Sequence, residues 1–188
     1  MTDLLVKYSN WKVILGLFLL FVIFSALAFP TYQARMTAAA GEQFEPLDMR
    51  SSYSREEVVA DFQKLGTEGR SVYKTVVGRI DMLYPLLYGS LFILLLASVL
   101  KRVVPGGSRL MLLAFFPLIG MAFDYLENIN ILKLLDTFPN LSPDTVSLAE
   151  RFTLLKHAFL FTSVAMILLL FLFVIFKRIF ARKDLVQQ

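Results

Sequence analysis

The chain has 188 residues, of which 57% are hydrophobic and 18% charged, and its mean hydropathy is +0.65. A soluble domain of this size carries about a quarter charged residues and ~45–50% apolar ones, so an ordinary soluble enzyme, a disordered chain and a fibrous one are excluded. There is no cysteine and one histidine, His157, which removes disulfide frameworks, thiolate metal sites, iron–sulfur clusters, cysteine nucleophiles and bis-histidine haem ligation within one chain.

Three uncharged runs, 13–29, 82–100 and 158–176, are 17–19 residues long. A helix needs ~20 residues to cross a hydrocarbon core about 30 Å thick. The first run follows Lys7 and Lys12, and Ala26-Leu27-Ala28 has the small-x-small form of a signal-peptide cleavage site. Its apolar stretch is longer than the ~7–15 residues of such signals, so it reads as a retained transmembrane helix over about 12–30.

The connector 31–79 is the largest part outside the apolar runs. Its beginning, with Pro30, Gly41 and Pro46, reads as irregular coil. Ser54-Arg55-Glu56-Glu57 fits a capping box, in which Ser54 caps a helix start and Glu57 reaches back to it. Val58, Phe62 and Leu65 then recur at helical spacing, with Glu56, Glu57, Asp61 and Lys64 on the other side, so 54–65 is an amphipathic helix. Its polar side is not dominated by Lys and Arg, which favours a lid on the bundle over an element lying in the leaflet. Gly66 is placed to end it, and a second helix from about Thr67 runs into a span over 80–100, kinked by Pro85.

The run 110–123 is only 14 residues long, roughly 21 Å of helix. It crosses only if the helix continues through Asp124 towards Asn130, giving a span of about 109–130. A turn-rich link with Pro139, Asn140 and Pro143 then leads to a fourth span over about 152–176. The expected fold is all-α: one integral membrane domain, a four-transmembrane-helix bundle, with an extracytoplasmic helical cap between helices 1 and 2.

Loop charge sets the expected orientation. Both termini and the 101–109 loop carry nine basic and two acidic residues, whereas 31–81 and 124–157 carry ten basic and thirteen acidic. Cytoplasmic loops are enriched in Lys and Arg, so both termini are expected in the cytoplasm, across a bacterial inner membrane or its equivalent. The basic pI thus follows from topology, and nucleic acid is not an expected partner.

Ionisable residues gather at the other end. The candidate ligand-binding set is Asp124, Glu127, Asn128, Lys156, His157, Asp81, Tyr84 and Arg79. Asp124 is the sharpest signal, because a carboxylate at mid-span costs roughly 2.5–3.5 kcal/mol and is usually turned inward, paired or functional. Lys156 is its expected partner, with Arg79 and His157 as rivals, while Glu127 and Asn128 are expected higher, nearer water. The competing account is a buried salt-bridge network that fixes helix register. Tyr84, Tyr88, Tyr125 and Trp11 also fit an interfacial aromatic belt. Small residues, among them Gly89, Gly120 and Ser163, permit close helix approach, and kinks at Pro85 and Pro117 are compatible with an open cavity or a filled bundle.

These features support binding of a membrane lipid or small amphiphile at the outer leaflet, or assembly with a membrane protein partner or a second copy. One alternative is an intramembrane enzyme acting on a lipid-like substrate through Asp or Glu with Lys156 or His157. Another is a non-catalytic subunit of a respiratory or transport complex, including one that holds a quinone. No nucleophile elbow or H-E-x-x-H motif is present, and the oxygen groups of Asp124, Glu127 and Asn128 are too few to assign a metal. The sequence assigns no cofactor.

Overall fold

A computed structural model describes residues 2–105 and 107–186. It is 85% helical, with no strand among the described residues and four helices long and apolar enough to span a membrane. A short α1 (Thr2–Tyr8) leads to α2 (Trp11–Ala40). Asn10 starts α2 by accepting from the Lys12 and Val13 amides at 3.1 and 3.2 Å, and Gly41 ends it at φ 73°.

α2 does not stop at the expected coil. Pro30 lies inside it, and Thr31 to Ala40 remain helical. Proline removes one amide donor, but the following ten residues contain no glycine and are rich in helix formers. They also gain a tertiary contact, because Met36 is buried in the core described below.

The capping box opens α3 (Arg55–Thr75): the Ser54 amide donates to Glu57 at 2.6 Å, and the Glu57 amide donates to Ser54 Oγ at 3.2 Å. Gly66 interrupts α3 at φ 60°, ψ −170°, a conformation essentially restricted to glycine. The Arg70 guanidinium, 4.5 Å from the Phe138 ring centre, donates at 2.6 Å to the Phe62 carbonyl in the turn before this break.

From Thr75 the chain runs through a π-helical segment, Val76–Ile80, into α4 (Asp81–Leu100). Pro85 has no amide to donate to the Asp81 carbonyl four residues back. The Asn128 side-chain amide, from α5, fills that place at 3.0 Å. A 3₁₀ segment, Arg109–Phe115, precedes α5 (Pro117–Thr137), and α6 (Pro143–Val186) follows a short link. Pro117 lies at the start of α5, where its missing amide costs nothing.

The two ends of the bundle differ. At the loop end, α3 covers the ends of α2, α5 and α6 around a core that includes Phe44, Leu47, Val58, Phe62, Tyr73, Ile131 and Leu134. Tyr73 lies fully buried at its centre, where its hydroxyl accepts from the Leu47 amide at 2.9 Å. Phe44 and Phe62 meet its ring edge-on. At the terminal end a smaller core joins Leu5 of α1 to Leu96, Ala97, Leu100, Met111 and Ala114. The apolar window of α2 has none of its residues buried inside the protein, and that of α6 has 11%.

Candidate functional site

The buried ionisable groups lie beneath the loop-end core. Asp81 of α4, Asp124 and Glu127 of α5 and Lys156 of α6 are all buried, as are Asn128 and Thr153. α4 and α5 meet closely here because Gly89 leaves room for Met121: a β-carbon at residue 89 would lie 1.9 Å from Met121 Sδ.

The expected Asp124–Lys156 ion pair is replaced by another. Lys156 Nζ pairs with Glu127 Oε2, and Thr153 Oγ1 donates to Glu127 Oε1. Asp124 accepts instead from Tyr88 Oη at 2.7 Å and Asn128 Nδ2 at 3.2 Å, with Lys156 within electrostatic reach. Glu127 lies three residues, nearly one turn, beyond Asp124 along α5, and α6 presents Lys156 and Thr153 at that level. Glu127 and Asn128 are also not the water-facing residues expected from their depth, being 0% and 1% exposed. α4, α6 and the loop that carries Asp48 and Tyr53 enclose them, and an enclosure assembled from distant segments is not visible in the local pattern of α5.

Two other candidates stand apart. Arg79 is exposed and makes no hydrogen bond or ion pair among the described residues. His157 is half-buried beside the Phe161 ring, their centres 6.1 Å apart. Tyr84 is half-buried in an aromatic group with Phe21, Phe24 and Phe29 of α2 and Tyr88 of α4. Ser25 Oγ donates to its hydroxyl at 3.4 Å.

The fold adds residues that the spacing did not single out. Asp48, in the short 3₁₀ segment Leu47–Met49, interacts electrostatically with Lys156, Glu127, Asp124 and Asp81. Its one local signal is the apolar Leu47 beside it, which anchors that turn in the core. Tyr53, from the same loop, is buried with its hydroxyl beside Thr153, and burial pushes its phenol above the ordinary range.

Four carboxylates (Asp48, Asp81, Asp124 and Glu127) therefore surround one buried ammonium, Lys156. Glu127 and Asp124 are engaged as described. The Asp81 carboxyl, on a residue 8% exposed, makes no hydrogen bond or ion pair among the described residues, and its electrostatic neighbours are, in order, Asp48, Asp124, Lys156 and Glu127. Among the described residues no group of three or more His, Asp or Glu is arranged to hold a metal ion. Comparison with known protein families, curated proteins and solved structures returned no match.

Proposed function

We propose that this integral membrane protein binds a small amphiphile with a cationic amine head, non-catalytically, at the loop end of its bundle. The observation that carries the reading is the Asp81 carboxyl, on a residue 8% exposed, which has no hydrogen bond or ion pair among the described residues, in a cluster where acidic groups outnumber the single ammonium. A largely buried carboxyl stays charged only with a counter-charge or hydrogen bonds, and an amine supplies both. Tyr84, one turn from Asp81, belongs to the aromatic group with Phe21, Phe24 and Phe29. Aromatic faces attract cations, and the same α2 rings offer an apolar path for a tail.

In this reading Glu127, Lys156, Asp124 and Asn128 form the register-fixing network beneath the ligand, and Asp81 with Tyr84 makes the contact. Mutual engagement of Glu127 with Lys156 and of Asp124 with Tyr88 leaves no free acid–base pair, so binding is favoured over catalysis. The loop charge balance supports an extracytoplasmic placement of this end, with both termini in the cytoplasm.

The test is a titration of the full chain in phosphatidylcholine nanodiscs with dodecylamine, dodecanol and dodecyl sulfate. Saturable binding of the amine alone, weakened at least tenfold by Asp81→Asn but not by Arg79→Gln, is expected. Equal binding of amine and alcohol, or an Asp81→Asn variant that binds as the wild type does, would overturn the reading.

A further inference from the structure

At the opposite end the helices part. Between the start of α2, the end of α4 and α6 lies a groove of about 760 Å³. Ile14, Leu15 and Phe18 of α2, Leu91 and Leu95 of α4 and Phe171 of α6 form its apolar walls. Ser9, Trp11, Lys101 and Arg102 also line it.

Among the described residues the two cations have no counter-charge. All five ion pairs among the described residues lie elsewhere, and the 101–109 loop contains no Asp or Glu. Lys101 is nonetheless held in place, its Nζ donating to the Ser9 carbonyl at 2.6 Å and to Ser9 Oγ at 3.1 Å. Desolvation, with the Arg102 charge beside it, lowers the Lys101 ammonium below its ordinary value. A neighbouring anion would reverse that effect.

We infer that this groove is a binding site for an anionic phospholipid, with acyl chain between α2, α4 and α6 and phosphate at Lys101 and Arg102. Charge complementarity and shape coincide here: an apolar slot open along a lipid-facing helix ends in two basic groups that have no ion-pair partner among the described residues. Basic pockets between membrane helices, at the level of the lipid head groups, take anionic heads by this chemistry. The site shares no residue with the amine site at the loop end, so either can fail without the other.

Trp11 is the chain's one tryptophan and lines the groove, which makes it the reporter. The full chain is reconstituted in phosphatidylcholine vesicles containing a minor share of brominated phosphatidylglycerol or, separately, the same share of brominated phosphatidylcholine. Bromine quenches an indole it touches. The expected result is a preference of roughly thirtyfold for the anionic lipid in quenching, the scale of about 1 kcal/mol from each of two interfacial basic side chains. The preference should fall to about unity in the Lys101→Gln/Arg102→Gln double variant and shrink in 0.5 M salt for the wild type. Equal quenching by the two lipids in the wild-type protein would overturn the inference. So would a preference that survives both the substitution and salt. If the double variant does not fold, the wild-type salt series alone decides.

Discussion

Leu134 and Leu169 are the same residue on neighbouring antiparallel helices, yet the first is fully buried and the second 67% exposed. Leu134 sits in the loop-end core among Tyr73, Ile131 and Phe62, whereas Leu169 faces outward along the apolar length of α6. The loop end is a protein interior, with its own core, buried ion pair and hydrogen-bonded aromatic centre. Along the shaft, α2 and α6 turn almost all of their apolar side chains outward, and the interior is confined to α4, α5 and the smaller terminal-end core. A hydrophobic effect cannot drive helix to helix where the surroundings are as apolar as leucine. Stability and chemistry therefore concentrate where the chain leaves the apolar runs.

That contrast is broken most severely at the buried ion pair. Lys156→Met leaves Glu127 without its counter-charge, with Asp48 and Asp124 nearby. It should cost about 3–5 kcal/mol, read by chemical denaturation of the nanodisc-embedded protein. Adding Glu127→Leu should recover most of that loss. A single variant as stable as wild type would mean that the pair does not hold the loop end together.

Next in size, Leu134→Ala should cost about 2–5 kcal/mol, while Leu169→Ala should change stability by no more than about 0.5 kcal/mol. Equal losses would erase the distinction between interior and shaft. Gly89→Ala should cost about 1–3 kcal/mol by overpacking, because the new β-carbon meets Met121. Met121→Ala in the same chain should relieve part of it.

The smallest effect sharpens the comparison through pH. Burial raises the Tyr53 phenol. A group raised on folding contributes stability that is present below its unfolded pKa, about 10 for tyrosine, and is lost as pH rises above it. The loop end should therefore loosen above about pH 10, and Tyr53→Phe should flatten that decline while leaving stability at neutral pH nearly unchanged. Limited proteolysis across the connector 31–79 over a pH series measures it.

Much of this organisation is legible in the residues. Uncharged runs locate the four helices, Ser54 and Glu57 announce the start of α3, and Val58, Phe62 and Leu65 mark its buried face. Gly66 breaks it where expected. The polar residues of the site are also visible one helix at a time. What local pattern does not carry is depth and partner. Asp124 and Glu127 differ by less than a turn, and only the packing of α5 on α6 decides which of them meets Lys156. Asp48 is distant in sequence from every residue it approaches, and only the anchoring of Leu47 brings it in. The ten helical residues after Pro30 depend likewise on a tertiary contact, that of Met36 with the core.

The measurement that bears most directly on the account is native mass spectrometry of the protein extracted with its surrounding lipid in a nanodisc-forming polymer. The account predicts one amine-bearing amphiphile retained per chain by the wild-type protein and absent from Asp81→Asn. A wild-type protein that retains none, or an Asp81→Asn variant that retains the same molecule equally, would contradict it.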